Sequence, residues 1–368
     1  MTLPPPSDRD SLLAEMTAAL SAMPDPAACE HLRLFEDEAA HALGTAHAVA
    51  VSSGTAALHA ALSACGIGQG DEVLVPALTV IMTVAPVCAL GATPVFVDSD
   101  PATLDLDYED AARKVNARTR AVLPVHLWGR MGDLGALAAF ASEHGLAVIE
   151  DAAQAIGTVR IGRPAGGVGT VGCFSMKDGK ILWSGEGGFL TTDSGQVAEH
   201  ARAFRSHWQP APPGEVPLGR LATNSRLAAP LAALALANLH RLPDLVERRR
   251  AQTRYLLNAL EQVPGLSALA PGAGEEWNGF SPLLHIAHPS PRAFAEHLAQ
   301  QGVPNSTGSF RLVPCDTRPM FPRPQQPCRG AAEILNRTLA VVLAEGDTQA
   351  TLDRYADIIA RAVAVRTP

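Results

Sequence analysis

Residues 48–65 read AVAVSSGTAALHAALSAC and combine three local signals in one short stretch. Ala48–Val51 is a continuous apolar run, which is typical of a buried strand. Ser52–Thr55 forms a turn that contains one glycine, and Ala56–Cys65 is rich in alanine with apolar residues at helical spacing. The order strand, turn, helix predicts the first unit of an α/β fold.

The same alternation continues along the chain. Further apolar runs predict strands at 73–75, 95–97, 121–125 and 146–149, and the segments between them include predicted helices at 79–90 and 133–143. Continuous apolar strands separated by helices are typical of a mostly parallel sheet with helices on both faces. Ligands bind such sheets beyond the carboxyl ends of the strands, which is where the sequence places Ser53, Thr55, His126, Asp151 and Gln154.

The length of 368 residues suits about two domains. We predict an N-terminal arm with one short helix over residues 1–30, a large cofactor-binding domain over 31–244 and a smaller α+β domain over 245–368. A long helix is expected from about 226 to 241, with Pro230 in its first turn. The charged run Glu247–Arg250 is interpreted as a solvent-facing helix surface. Gly66–Gly70 is interpreted as a helix end, because a dinucleotide fingerprint would follow a strand.

Composition excludes several classes of function. The net charge of -8 and an aromatic content of 5% argue against a nucleic-acid partner. The longest apolar stretch, residues 227–237, falls short of the ~20 residues that cross a bilayer. The six cysteines form no CxxC pair, which predicts reduced thiols and no metal site. The first residues, MTLPPPSDRD, lack the features of a signal peptide, so we expect a cytoplasmic protein.

Lysine chemistry has few candidates, because the chain contains only Lys114, Lys177 and Lys180. Two of these lie in residues 172–188, GCFSMKDGKILWSGEGG, between glycine-rich segments. An apolar environment lowers the pKa of a lysine and makes its amine a nucleophile for Schiff-base formation. The alternative interpretation is a surface loop that carries two ordinary lysines.

Two polar features could serve a bound cofactor. Asp151 ends a predicted buried strand, where its carboxylate needs a cationic or hydrogen-bonded partner such as a protonated pyridine nitrogen. The alternative is a helix N-cap. Ser53-Gly54-Thr55 precedes a helix, so the free N–H groups, the Thr55 hydroxyl and the close backbone approach at Gly54 form a ready anion site. Plain helix capping is the alternative there.

Eight segments carry a resemblance in a fixed order, namely residues 35–36, 48–58, 70–73, 76–79, 91–98, 124–129, 150–155 and 180–188. Together they resemble the DegT/DnrJ/StrS sugar aminotransferase family. The resemblance covers roughly residues 30–250 closely and is weaker in the C-terminal third. It implies a fold-type I α/β enzyme that uses pyridoxal 5′-phosphate and works as a homodimer with shared active sites.

The resemblance also implies roles for single residues. Lys180 would bind the cofactor as a Schiff base, and Asp151 would pair with the pyridine nitrogen. Gln154 would lie near the O3′ of the cofactor. The phosphate would be held by Thr55, by the N–H of Ala56 and by Ser175, with Gly54 allowing the approach, and Asn224 would reach the phosphate of the neighbouring subunit. Related dehydratases carry histidine at the Schiff-base position, so Lys180 favours transamination.

Three departures from the family pattern bear on cofactor packing and on substrate. Val80 stands where family members often stack an aromatic ring on the cofactor, Pro230 replaces a usually polar residue, and residues 308–327 do not match the usual ending. Our main hypothesis is transfer of an amino group from L-glutamate or L-glutamine to a keto-sugar or keto-cyclitol in secondary metabolism. The alternatives are a dehydratase or aromatase of the 3-amino-5-hydroxybenzoate synthase type, and a non-catalytic sensor or partner subunit.

Overall fold

A computed structural model of the chain describes residues 3–4, 9–22, 30–324 and 326–364. Residues 1–2, 5–8 and 23–29 of the predicted arm, Cys29 among them, lie outside these ranges. The helices are α1 (Arg9–Ala22), α2 (Glu30–Leu43), α3 (Gly54–Ala64), α4 (Ile81–Ala89), α5 (Tyr108–Lys114), α6 (Leu134–His144), α7 (Gly195–Phe204), α8 (Ala229–His240), α9 (Leu242–Leu260), α10 (Pro291–Gln300), α11 (Arg329–Arg337) and α12 (Gln349–Ala364). The strands are β1 (His47–Val51), β2 (Glu72–Pro76), β3 (Thr93–Val97), β4 (Thr119–Val122), β5 (Ala147–Asp151), β6 (Val159–Arg160), β7 (Arg163–Pro164), β8 (Val171–Ser175), β9 (Gly188–Thr192), β10 (Leu266–Ala268), β11 (Glu275–Glu276), β12 (Leu283–Ile286) and β13 (Thr338–Ala340).

The central sheet has the strand order β1-β9-β8-β5-β4-β2-β3. Neighbours from β3 to β8 run parallel, whereas β9 runs antiparallel to both β8 and β1. The predicted α/β fold with a mostly parallel sheet is therefore confirmed. Its order also brings the carboxyl ends of β2, β4, β5 and β8 to one edge, where a ligand site is expected.

Both faces of the sheet are covered, because alternate residues of one strand enter different cores. Val73 and Val75 of β2 pack in one buried cluster with Leu58 of α3, while Leu74 packs in another with Leu137 of α6. A strand buried on both faces must be apolar throughout, which explains why the strands could be recognised as continuous apolar runs.

A smaller sheet, β10-β12-β13, lies in the C-terminal part, and a third sheet joins β11, β6 and β7. The smaller C-terminal sheet packs through Leu284 and Leu339 against Leu256 of α9 and Ile359 of α12. Because α9 runs from Leu242 to Leu260, the predicted domain boundary at 244/245 falls inside this helix. The division into domains stays a prediction.

The interpretation of Glu247–Arg250 as a solvent-facing surface is wrong for its two central residues. Arg248 and Arg249 are 4% and 3% exposed. Arg248 donates to the carbonyl of Glu345 at 2.7 Å, and Arg249 donates to the carbonyl of Phe280 at 3.3 Å. A buried guanidinium is tolerated when carbonyls accept hydrogen bonds from its N–H groups. At these two positions α9 therefore faces protein, whereas the charged sequence predicted a face exposed to solvent.

None of the helices in the described part of the chain combines the length and apolar character that crossing a bilayer requires. Across the same residues, no group of three or more His, Cys, Asp or Glu side chains is arranged to hold a metal ion.

Candidate active site

Asp151 is the last residue of β5 and its carboxylate is held from two sides. Its Oδ2 accepts a hydrogen bond of 2.6 Å from the Thr83 hydroxyl, which itself lies 2.8 Å from the Thr79 hydroxyl. Its Oδ1 accepts from the N–H of Ala153 at 3.1 Å. The carboxylate is buried, so these donors both pay for its desolvation and fix its direction.

Sequence reasoning missed Thr83. Its spacing from Thr79 could have identified it, because residues four apart lie on the same side of a helix and of the turn that begins it. Both threonines are fully buried, and a buried hydroxyl needs a hydrogen-bond partner.

Lys180 differs from the other two lysines in its surroundings. Lys114 is paired with Asp110 at 2.6 Å, and Lys177 is exposed. The Lys180 side chain is half-buried, and protein surrounds its amine, whose nitrogen lies 5.4 Å from the centre of the Phe280 ring. Among the residues that the structure describes, it has no hydrogen bond or ion pair. Enclosure lowers the pKa of Lys180 to about 8, although the nearby Asp151 carboxylate opposes this and Lys177 adds to it.

The predicted phosphate residues form a second group, beside the cavity rather than in it. A Cβ at Gly54 would lie 2.7 Å from the Cβ of Ser175, and a Cβ at Gly188 would lie 2.4 Å from the Ser53 carbonyl carbon. These glycines therefore let the start of α3 approach the end of β8 and the start of β9. The Ser53 hydroxyl caps α3 by accepting a hydrogen bond of 3.1 Å from the backbone N–H of Ala56. A phosphate bound here would therefore share this N–H with the Ser53 hydroxyl.

Lys180, Gln154 and Val80 line one cavity of about 290 Å³. Gln154 Oε1 accepts from the backbone N–H of Trp128 at 2.6 Å, which fixes its amide toward this space. Trp128 also lines the cavity, and its indole donates to Ser306 at 3.0 Å. A cavity with an enclosed amine on its wall and a carboxylate at the adjoining strand end suits a flat pyridoxal ring, and the tight glycine cradle suits its phosphate.

His126 and Asn224 do not join this cavity. His126 pairs with the buried Glu150 at 2.9 Å, on the side of β5 opposite to Asp151. Burial favours the neutral form of Glu150, but the hydrogen bonds from His126 and from backbone N–H groups outweigh it, so the pKa of Glu150 is lowered. Asn224 is exposed, and its backbone forms an isolated antiparallel β-bridge with Ser206. The carbonyl of the next residue, Ser225, accepts a hydrogen bond from the backbone N–H of Ser52.

The sequence matches the DegT/DnrJ/EryC1/StrS aminotransferase family over residues 13–360. An L-glutamine:2-deoxy-scyllo-inosose aminotransferase of Streptoalloteichus tenebrarius is 41% identical over 250 residues, which are 66% of this chain and 59% of that relative. A pleiotropic regulatory protein of Geobacillus stearothermophilus is 34% identical over 296 residues, 79% of this chain and 77% of that protein. In the first of these, the matched region spans less than two thirds of the relative.

Comparison of structures agrees with the sequence match. The crystal structure of S. venezuelae DesV in complex with a ketimine intermediate superposes with a TM-score of 0.85 at 31% identity, covering 98% of this chain and 96% of that one. The architecture is that of fold-type I, and aminotransferases of this family depend on pyridoxal 5′-phosphate. The resemblance in the sequence is thereby confirmed, and the chain belongs to the DegT/DnrJ/EryC1/StrS aminotransferase family.

Proposed function

We propose that this chain is a pyridoxal-phosphate-dependent aminotransferase that moves an amino group from L-glutamate or L-glutamine to a ketone on a sugar or cyclitol. The observation that carries the proposal is the amine of Lys180, which forms no hydrogen bond or ion pair with the described residues and lines one cavity with Gln154. The Asp151 carboxylate lies near enough to raise the pKa of this amine, against the larger effect of burial. The printed activity of the Streptoalloteichus relative supports a cyclitol acceptor and a glutamine donor. The proposed setting is antibiotic-type biosynthesis in the cytoplasm.

Lys180 is the proposed anchor and proton carrier. Pyridoxal phosphate, when bound, supplies an electron sink for bond changes at the amino-bearing carbon. Lys180 Nζ would hold the cofactor and, once displaced by the amine of the substrate, would carry a proton between that carbon and the C4′ carbon of the cofactor. With a pKa of about 8, roughly one such amine in ten is neutral at pH 7, far more than for an ordinary lysine.

Asp151 and Gln154 are proposed to orient the ring. The Asp151 carboxylate would accept from the protonated ring nitrogen, while Thr83 keeps it aimed. Gln154 would donate toward O3′ with its amide nitrogen, because its oxygen is already occupied by the Trp128 N–H. Val80, on the cavity wall, would pack against the ring.

The phosphate is proposed to lie at the start of α3, where the helix dipole favours an anion. Thr55, Ser175 and the backbone at Gly54 and Ala56 would donate to it. We further propose a homodimer in which the exposed Asn224 completes the phosphate site of the partner subunit.

The test is transfer of labelled nitrogen. The purified enzyme is incubated with ¹⁵N-labelled L-glutamate or L-glutamine and a panel of keto-cyclitols and keto-sugars, and the product is analysed by mass spectrometry. We expect a product amine that carries donor nitrogen one-to-one. A product that loses water and gains no donor nitrogen would instead support the dehydratase or aromatase alternative.

The regulatory name of the Geobacillus relative motivates one other test, for a non-catalytic subunit. The visible absorbance band of the lysine-bound cofactor is followed while amino donor is added. Loss of the band supports an aminotransferase, and a band that no donor alters supports a chain that keeps the fold without turnover.

A further inference from the structure

The cavity that Lys180 shares with Gln154 is basic although the chain is acidic. Its charged lining residues are four bases, Lys177, Lys180, Arg311 and Arg318, and one acid, Asp178. The chain as a whole has a net charge of -8. A basic cavity in an acidic protein concentrates anions at that place.

The cofactor phosphate does not account for the two arginines. The proposed phosphate residues at the start of α3 and at Ser175 are absent from the cavity lining. Arg311 and Arg318 come instead from the segment between α10 and α11, in the part of the sequence that departs from the family pattern. Their positive charge is left for another ligand group.

Neither arginine is neutralised within the described part of the chain. Arg318 Nη2 donates to the carbonyl of Arg311 at 3.2 Å, but its Nε is buried without a partner, and no carboxylate lies within 4 Å of either side chain. Arg311 is exposed and has a φ of +52°, a backbone conformation that side-chain-bearing residues adopt only when their surroundings hold them there.

A third polar group on the cavity wall also lacks a partner. Ser281 is fully buried, and its hydroxyl makes no hydrogen bond to the described residues. A buried hydroxyl with free donor capacity shares the cavity lining with two guanidinium groups that no carboxylate of the described residues neutralises, and this combination suits a ligand with oxygen acceptors.

We propose that Arg311 and Arg318 bind an oxyanion group of a substrate in the Lys180 cavity. The group would be the carboxylate of the amino-acid donor or a phosphate on the acceptor, since the planar guanidinium recognises both. This inference rests on the proposed function for the nature of the substrates. It gives the divergent C-terminal segment the role of choosing a charged substrate.

The test measures anion binding to the cofactor-loaded enzyme by titration calorimetry, with glutarate and inorganic pyrophosphate as probes. Loading the enzyme keeps the probes away from the cofactor phosphate site. The variants are Arg311→Gln, Arg318→Gln, the double variant and Arg318→Lys. The matched control is Arg33→Gln, which changes an exposed arginine of α2.

We expect the double variant to weaken binding of at least one probe by about tenfold or more. Arg318→Lys should retain part of the affinity, and the Arg33 variant should bind as the wild type does. Loss for glutarate assigns the site to the donor carboxylate, and loss for pyrophosphate alone assigns it to an acceptor phosphate. Unchanged binding of both probes in a double variant of normal melting temperature, or no binding of either probe to the wild type, overturns the proposal.

Failure of the inference and failure of the proposed function give different results. An enzyme that transfers nitrogen but binds both probes without the arginines contradicts the inference alone. A chain that binds glutarate through the arginines but transfers no nitrogen contradicts the proposed function alone.

Discussion

Thr83 Oγ1 donates a hydrogen bond of 2.6 Å to Asp151 Oδ2, although 68 positions separate the two residues in the chain. The hydroxyl belongs to α4, which follows β2, and the carboxylate ends β5. Because these strands end at the same edge of the sheet, the parallel topology alone brings the two side chains together. Asp151 is thus held from a neighbouring helix as well as by its own strand.

Replacing the Thr83 hydroxyl should lower the rate of transamination. A hydrogen bond to a charged group is worth about 1.5–3 kcal/mol, so we expect Thr83→Val to reduce kcat by about tenfold or more. The shape of the side chain is kept, and Thr83→Ser, which keeps the hydroxyl, should stay close to the wild type. Steady-state kinetics of both variants check this. Equal rates for the valine and serine variants would show that Thr83 does not act on Asp151.

The lowered pKa of Lys180 should be visible in the rate at which the apoenzyme captures the cofactor. Only the neutral amine attacks an aldehyde, and enclosure shifts its pKa from 10.5 to about 8. The capture rate should therefore rise with pH, reach half its maximum near pH 8 and level off above it.

The visible band of the bound cofactor records that rate between pH 6 and 10. Lys177→Arg serves as the control, because it keeps the neighbouring positive charge and should leave the midpoint in place. A rate that is still climbing steeply at pH 10 would mean that Lys180 titrates like an exposed lysine.

Val80 tests how the cofactor ring is packed. The residue lies at the start of α4 and lines the Lys180 cavity, so an aromatic ring there could stack on the cofactor. Such stacking adds roughly 0.5–1.5 kcal/mol beyond area burial. We expect Val80→Phe to slow release of the cofactor, whereas Val80→Leu, which adds bulk without a ring, should not.

The off-rate of the cofactor and the melting temperature are measured together for both Val80 variants. If the phenylalanine variant melts lower by the equivalent of about 1–3 kcal/mol and releases the cofactor at the wild-type rate, the residue packs in the helix core instead.

Asn224 tests the shared active site. It lies on the surface just before α8, an apolar helix whose N-terminal prolyl residue, Pro230, falls within its first turn as expected. If Asn224 completes the partner's site, inactive Lys180→Ala chains mixed with inactive Asn224→Asp chains should regain activity, because one site of the mixed dimer carries neither change. Activity measured after unfolding and refolding the mixture checks this, and a fully active monomer would contradict it.

Much of the sheet could be predicted because strands that are buried on both faces appear in the sequence as continuous apolar runs. The runs at 48–51, 73–75 and 95–97 all lie inside observed strands. The predicted strand at 121–125 ends earlier, at Val122, and continues only as a single bridge between Val125 and Asp151. Leu123 and Val125 are apolar but lie outside the regular strand, so apolar character alone does not mark where the strand ends.

The remaining features depend on contacts between distant segments. The burial of Arg248 and Arg249 depends on hydrogen bonds to the carbonyls of Glu345 and Phe280. These partners are distant in the chain, so the local sequence around the arginines does not predict them. The presence of Arg311 and Lys180 in the lining of one cavity likewise depends on how the C-terminal part folds back on the sheet. Local periodicity predicts elements, but such pairs form only when the topology is complete.

The proposed role of Lys180 as the residue that holds the cofactor is tested by reduction of the loaded enzyme with borohydride, followed by peptide mapping. Reduction fixes the cofactor permanently to the lysine that carries it. We expect the tag on Lys180, in the segment between Ser175 and Gly185. A tag on Lys177 or Lys114, or a cofactor that washes away after reduction, would contradict it.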